Sequence, residues 1–446
     1  MAEWIALLMF CVVLPVALAT GRQRSLAQLG LAAAGATLLV LHRSEPPAFR
    51  LLACTFLLLY LMKGLVLLAV PRDRVRATRA LPFTIFFSVW PGMSLSGLQR
   101  RRKAEPEDVQ GFGRGLIFAY TGGAILSVDA LLQPHLSLLQ AGAIAVVGIL
   151  LTVHFGISEV LTAGLRFLGW PVEPLFRQPE RSQSLEDFWG RRWNLPFVEM
   201  DRRLFVRPLV RGLGPQRATF AVFMISGLFH EMAISYPAGA GWGLPLTYFV
   251  VQAIGNGFQS RGMLKGRLWT YVLVLLPLPL LFHPAFLKAL PGPMIVLLHD
   301  WLAAHPLDWY MNILLWVLGV VQLLPLAASF QVPNRLNWKE ELPKLSPFNR
   351  KLMWTYGAFV VLTILSFSVL TLSLHHEMLN GDRAAVAFAT FAAVYWGLRL
   401  LVDAVYLKAD GWPRGAEFAI GHGLLASLFA FLALGYAAVV VRSFWR

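Results

Sequence analysis

Apolar stretches long enough to cross a bilayer alternate with short polar joints from one end of the chain to the other. A helix needs about 20 residues to span the hydrocarbon layer. On that measure the pattern predicts twelve spans: 4–20, 26–41, 51–70, 115–133, 138–165, 218–236, 245–260, 268–287, 308–330, 352–374, 384–402 and 415–441. Backbone groups in lipid must bond within their own segment, and the period-2 alternation of a membrane barrel is absent, so these spans are helices. The expected class is therefore all-α, a polytopic membrane protein. Leu81–Leu95 does not fit the series. It is short and has an arginine cluster on each side, which predicts a re-entrant or interfacial helix turning at Trp90, Pro91 and Gly92. Met294–Ala304 reads as interfacial on the other side of the membrane.

Composition supports this reading. Of the 446 residues 57% are hydrophobic and only 14% charged, against about 25% charged in an ordinary soluble domain. Disorder is excluded by 15 Trp and 31 Phe. Cys11 and Cys54 both fall inside predicted spans, so no disulfide framework is expected.

The net charge of +15 would suggest a nucleic-acid partner on a soluble protein. Here the placement of the bases decides its meaning. The first residues hold an acid, Glu3, and no base, while Arg22 and Arg24 follow the first apolar run. That is a signal-anchor pattern with the N-terminus outside; the small residues Ala17–Thr20 leave a cleaved signal as the alternative. In this frame most of the 39 Lys and Arg lie on cytoplasmic joints, ten of them Arg between Arg166 and Arg217. The charge marks topology and a membrane partner, and no nucleic acid is expected.

The joint 171–217 carries the most chemistry. Prolines at 171, 174 and 179 end the preceding helix, and Ser184 is placed to cap a new one, with Glu186 and Asp187 in its first turn. Phe188, Trp189, Trp193 and Phe197 supply an apolar side; Arg191, Arg192, Arg202, Arg203, Arg207 and Arg211 supply a cationic one. Two compatible readings follow: an amphipathic element at the lipid headgroups, or a cytoplasmic site where guanidinium groups grip phosphates.

In the next span, Ser226–Gly227–Leu228–Phe229–His230–Glu231 places an ionisable pair roughly 18 Å deep at 1.5 Å per residue. Such a pair is expensive in lipid and marks a site by default. Ser226 is one helical turn before His230 and shares its face. His230 is either a structural histidine bonded to a neighbouring helix or a general base, which burial would keep neutral and able to accept a proton. A zinc helix needs a second histidine four residues on, and that position is Ile234, so no metal is expected.

The run Ser184–Leu185–Glu186–Asp187–Phe188–Trp189–Gly190–Arg191–Arg192–Trp193–Asn194, followed by the histidine motif, resembles the wax-synthase branch of the membrane-bound O-acyltransferase superfamily. Trp90–Pro91–Gly92–Met93 and Pro279–Leu280–Leu281–Phe282–His283–Pro284 are similar to that branch as well. The resemblance covers about 50 to 330. It implies a helical fold with a central tunnel, His230 as catalytic base and Asn194 as its partner. Trp189, Arg191, Arg192, Trp193, Ser226 and Glu231 become candidate substrate contacts. Acyl-CoA is the implied donor, a lipid-soluble alcohol the acceptor, and no cofactor beyond acyl-CoA is implied. No activated Cys or Ser nucleophile stands out, which favours direct transfer. The acceptor stays open between a long-chain alcohol and a diacylglycerol, sterol, polyketide or glycan hydroxyl; the oligomeric state also stays open.

The expected organisation is 1–50 as anchor helices, 51–330 as the catalytic core and 331–446 as a transmembrane extension of unassigned role. The membrane is a bacterial inner membrane or an ER-type one, with the 171–217 joint cytoplasmic. A secondary transporter is the rival class, but it usually shows internal repeats, and the basic joint occurs once. Lys63, Asp129, His154 and Glu159 line a tunnel or bond helix to helix. Arg399 and Asp403, four apart, pair locally. His375–His376–Glu377 lacks further ligands for a metal, and His283 sits at an outer boundary or near the acceptor.

Overall fold

A computed structural model describes residues 42–305, 307–335, 337–405 and 416–444, with a few positions between 30 and 40. Among the described residues the regular structure is helical, and eight helices are long and apolar enough to cross a membrane. A bent pair, Arg267–Leu281 with Pro284–Ala304 at 55°, makes nine if it counts as one span. Those eight coincide with eight of the twelve expected spans. Of the other four, 4–20 and most of 26–41 lie outside the described residues, as does Cys11. The span expected at 245–260 is a helix of 17 residues, roughly 25 Å long and marginal for a crossing. The one expected at 268–287 is an arm of the bent pair, broken where Pro277, Pro279 and Pro284 interrupt the backbone ladder. The expected interfacial stretch at Met294–Ala304 is a continuous part of the other arm.

The chain divides into two compact units at Asp300/Trp301. The first contains α1 (Pro47–Leu68), α2 (Ala80–Ser88), α3 (Pro106–Leu132), α4 (Leu138–Phe167), a joint of short helical pieces that includes α5 (Leu195–Asp201), then α6 (Pro215–His230) and α7 (Leu244–Ser260). The start signals are local. A capping box between Glu105 and Asp108 opens α3, and another between Ser137 and Gln140 opens α4. α3 and α4 approach closely because small residues face each other: a Cβ on Gly156 would lie 2.7 Å from the Ala119 backbone nitrogen. Arg114 and Glu159 pair across this contact. The backbone of α4 widens into a π-helix at Leu150–Ile157.

α2 is only nine residues long, roughly 14 Å, too short to cross. Its C-terminal carbonyls have no intrahelical donors. The neighbouring helix supplies them. Tyr60 donates its hydroxyl to Phe87 O at 2.9 Å, and Lys63, 1% exposed, donates its ammonium to Phe86 O and, at 2.5 Å, to Trp90 O. The same ammonium lies 4.7 Å over the Phe86 ring. Lys63 therefore bonds element to element and fixes the turn at Trp90–Pro91–Gly92. A lysine suits this place because a positive charge complements a helix C-terminus.

The second unit holds α10 (Leu307–Asn334), α11 (Pro347–Ser373), α12 (Arg383–Val405) and α13 (Ala416–Ser443), the bent pair being α8 and α9. Its core closes around Leu315, Leu318, Phe367, Trp396 and Tyr436. Three buried polar side chains in it bond one another, while the Trp396 indole nitrogen is buried without a partner among the described residues. Tyr436 donates to Gln322 at 3.1 Å and also bonds Thr371, and Gln322 donates to Thr371 at 3.2 Å. Asp403 sits 3.9 Å from Arg399 but 2.7 Å from His422, so the local pair expected from spacing is the weaker of its two partners.

Candidate active site

The joint between α4 and α6 is not one amphipathic helix. It is a chain of short α, 3₁₀ and π pieces folded back on itself, with Arg177 N donating to Arg192 O at 2.8 Å and Leu195 N to Leu175 O at 2.9 Å. Ser184 caps as expected, its hydroxyl accepting from Asp187 N at 3.0 Å. The Asp187 carboxylate then takes Arg192 Nε at 2.8 Å, and Arg192 Nη1 reaches Gln178 O at 3.3 Å. Arg192, expected as a substrate contact, is thus bound within the joint. Its neighbour Arg191 projects outward, 3.7 Å from Glu186.

The two tryptophans anchor the joint on different sides. Trp193 stacks on Phe188 at 5.3 Å and meets Phe155 of α4 at 5.8 Å. Trp189 turns toward α6 and α7, lying 6.3 Å from Phe223 and 5.8 Å from Phe249, with its Nε1 donating to Gln252 at 3.1 Å. Asn194 follows in the left-handed region, φ 46°, at the N-cap of α5. Asparagine tolerates that backbone better than most residues. Its side chain does not cap the helix and stays available.

α5 has two working faces. Leu195, Pro196, Val198 and Glu199 of α5, with Arg202 just after it, line a cavity of about 710 Å³. From another face Phe197 packs edge-on against Phe229 at 6.0 Å. This brings the helix that begins at Asn194 alongside the turn that carries His230. The cavity is completed by Trp90, Gly92, Met93 and Ser94 from the turn that Lys63 fixes, and by the guanidinium groups of Arg100, Arg177 and Arg191. Four arginines against two glutamates, Glu173 and Glu199, make it cationic. His230 and Asn194 are not among the residues that line it, although Asn194 directly precedes Leu195, which is.

His230 ends the α-helical part of its span, and a π turn, Glu231–Ser235, follows at once. Such widened turns are frequent at functional sites. Its Nδ1 is 2.7 Å from the main-chain oxygen of Ser226. A carbonyl oxygen only accepts, so Nδ1 carries the proton and the Nε2 lone pair is free. Nε2 has no hydrogen-bond partner among the described residues. Phe249 packs on the ring at 4.5 Å. Ser226 thus contributes its backbone to the site.

Glu231 was expected to touch substrate. Its Oε1 instead accepts from Gly243 N at 2.9 Å and Leu246 N at 3.0 Å, capping α7, while Oε2 is buried without a partner among the described residues. His283 is fully buried, Nδ1 accepting from Phe286 N at 3.2 Å and Nε2 3.4 Å from Ser235, so it caps a helix inside the protein. Three contributors escaped the sequence reading. Gln252 and Gln259 lie two turns apart on α7, and polar residues at that spacing in an apolar helix were the available signal. Asp201 ends α5, 6% exposed with Oδ1 unpartnered, and burial pushes its carboxyl up to about 8.

Comparison with known proteins falls on this same segment. Residues 170–251 match the family model described as the membrane bound O-acyl transferase family. The chain is 30% identical over 145 residues to a probable long-chain-alcohol O-fatty-acyltransferase 9 of Arabidopsis thaliana, covering 27% of this chain and 42% of that protein. It is 37% identical over 131 residues to the probable acyltransferase 8 of the same name and organism, 27% of this chain and 37% of that one. An acyl-CoA–sterol O-acyltransferase 1 from the same plant is 40% identical over 72 residues, 15% of this chain and 21% of that protein. The chain thus spans less than half the length of these relatives. The segment that carries the candidate site thus matches the model of the membrane bound O-acyl transferase family and is similar to plant proteins named as long-chain-alcohol O-fatty-acyltransferases.

Proposed function

We propose that the protein transfers a fatty acyl group from acyl-CoA to the hydroxyl of a lipid-soluble alcohol within the membrane, forming a wax-type ester. The observation that carries this reading is the His230 imidazole, with Nδ1–H fixed on Ser226 O and Nε2 left to accept a proton. Nε2 takes the hydroxyl proton as the alcohol oxygen attacks the thioester carbonyl. The tetrahedral intermediate collapses, the carbon–sulfur bond breaks, and the departing thiolate recovers the proton from Nε2. The product is an ester and free CoA, with no acyl-enzyme and no cofactor beyond the co-substrate. Asn194, whose amide is not spent on its own helix, donates to the developing oxyanion.

The arginine-lined cavity fits the donor's nucleotide end. Guanidinium groups bind phosphate in a forked geometry, and Arg100, Arg177, Arg191 and Arg202 converge there from separate stretches of chain. In this reading the joint faces the cytoplasm and α5 stands between the phosphates and the base, so that the pantetheine arm passes α5 to bring the thioester to His230. Long-chain alcohols are the favoured acceptor class, since that is what the names of most of the matched relatives state; a sterol is the second, from the sterol acyltransferase relative. Membranes of a host that makes no wax ester, expressing the chain and supplied with a fatty alcohol or a sterol, test this. New wax ester supports the reading, steryl ester alone redirects the acceptor, and no ester from either overturns it.

A further inference from the structure

α7 ties the two halves of the candidate site together, and it does so through glutamines. Gln252 is fully buried. Its Oε1 accepts the Trp189 indole N–H at 3.1 Å, and its Nε2 donates to Leu273 O at 2.7 Å. The second bond has a cause in the sequence. In an α-helix Leu273 O would receive the N–H of the residue four on, which is Pro277 and has none. The amide of Gln252 fills that missing donor, and this fixes its oxygen toward Trp189. Two turns later Gln259 accepts Leu185 N at 2.7 Å, holding the first turn of the same motif.

The indole held this way is one ring away from the base. Trp189 packs on Phe249, and Phe249 packs on His230. Trp189 also packs on Phe223, which is two turns before His230 on the same helix. A buried indole N–H that loses its acceptor leaves a donor unsatisfied. The ring then reorients, and Phe249 and the imidazole follow.

We propose that Gln252 is a positioning residue: by bridging the Trp189 N–H and the carbonyl orphaned by Pro277, it fixes the aromatic wall against which His230 is held. It acts on the rate of transfer rather than on capture of the donor, whose phosphates are bound elsewhere. This rests on the acyltransferase reading above.

The test uses the full chain in lipid. Gln252→Leu lowers kcat by roughly tenfold while KM for acyl-CoA stays within about twofold, because a small misplacement of a catalytic group costs rate. Gln252→Glu restores most of kcat, since a protonated carboxyl still offers one acceptor and one donor. In a Trp189→Phe background, which has no indole N–H, Gln252→Leu has little further effect. An independent readout is the fluorine resonance of Trp189 in 5-fluorotryptophan protein, assigned through Trp189→Phe; it shifts in Gln252→Leu. Equal losses from Gln252→Leu in both backgrounds, or an unmoved Trp189 resonance, overturn the inference. A wild-type chain that forms no ester overturns the proposed reaction instead, and the resonance still decides the bond.

Discussion

Glu231 offers the sharpest contest between a structural and a chemical role, because it follows the proposed base directly. Its Oε1 receives two backbone N–H groups at the start of α7. Hydrogen bonds to a charged acceptor contribute about 1.5–3 kcal/mol each. Against that stands Oε2, buried without a partner, which costs on the order of 1–3 kcal/mol. The net contribution is then about 2–3 kcal/mol, and Glu231→Ala forfeits it. At roughly 2 °C per kcal/mol for a large chain, the apparent melting temperature falls by about 5 °C. Glu231→Gln keeps an oxygen for both amides and removes a buried charge, so the two changes nearly cancel and melting moves by less than about 2 °C. Thermal denaturation at one scan rate in the same lipid, beside kcat/KM for acyl-CoA and alcohol, measures both. The cap account expects Glu231→Gln to stay within about threefold of wild type in kcat/KM. A large loss of kcat/KM in Glu231→Gln with unchanged melting, or unchanged melting in Glu231→Ala, refutes it and returns Glu231 to the substrate.

Further outcomes follow from the same geometry. Arg192→Ala lowers the melting temperature because it unties the joint from Asp187 and Gln178, whereas Arg191→Ala leaves melting alone and raises KM for acyl-CoA in a salt-dependent way; thermal scans and KM at two ionic strengths check the pair. Lys63→Met leaves two carbonyls at the end of α2 without donors, so hydrogen exchange accelerates at 86–92 and KM for acyl-CoA rises, the turn being part of the cavity wall. Asp201 holds its proton to about pH 8 in the fold but releases it near pH 4 when unfolded. The fold therefore loses stability from this group as pH rises through that window. Asp201→Asn removes the loss, matching wild type near pH 4 and exceeding it by about 5 kcal/mol at pH 8 as linkage across that window requires; melting against pH reads it.

Much of this was legible in the sequence. Spans depend on local apolar length, and eight fell where the hydropathy pattern put them. The Ser184 cap, the short helix before Trp90 and the histidine with its backbone partner one turn earlier are also local features. What the sequence did not reveal depends on distant chain. Arg191 and Arg192 are chemically alike and adjacent, yet one is bound by Asp187 and the other lines a cavity, because the joint folds back on itself. Lys63 finds its partners 23 and 27 residues away at the end of α2. Glu231 reads as a site residue until the turn at 239–243 brings the amides of α7 to it. The broken spans were predicted as whole ones because prolines leave mean hydropathy high while removing the donors a straight helix needs.

The central claim is that Nε2 of His230 takes the acceptor's proton. Single-turnover transfer from labelled acyl-CoA to a long-chain alcohol, comparing wild type with His230→Ala at equal folded amounts in lipid, tests it most directly. A general base contributes about a hundredfold or more. The account predicts a loss of at least that size with donor binding retained. Transfer by His230→Ala within a few-fold of wild type would contradict it.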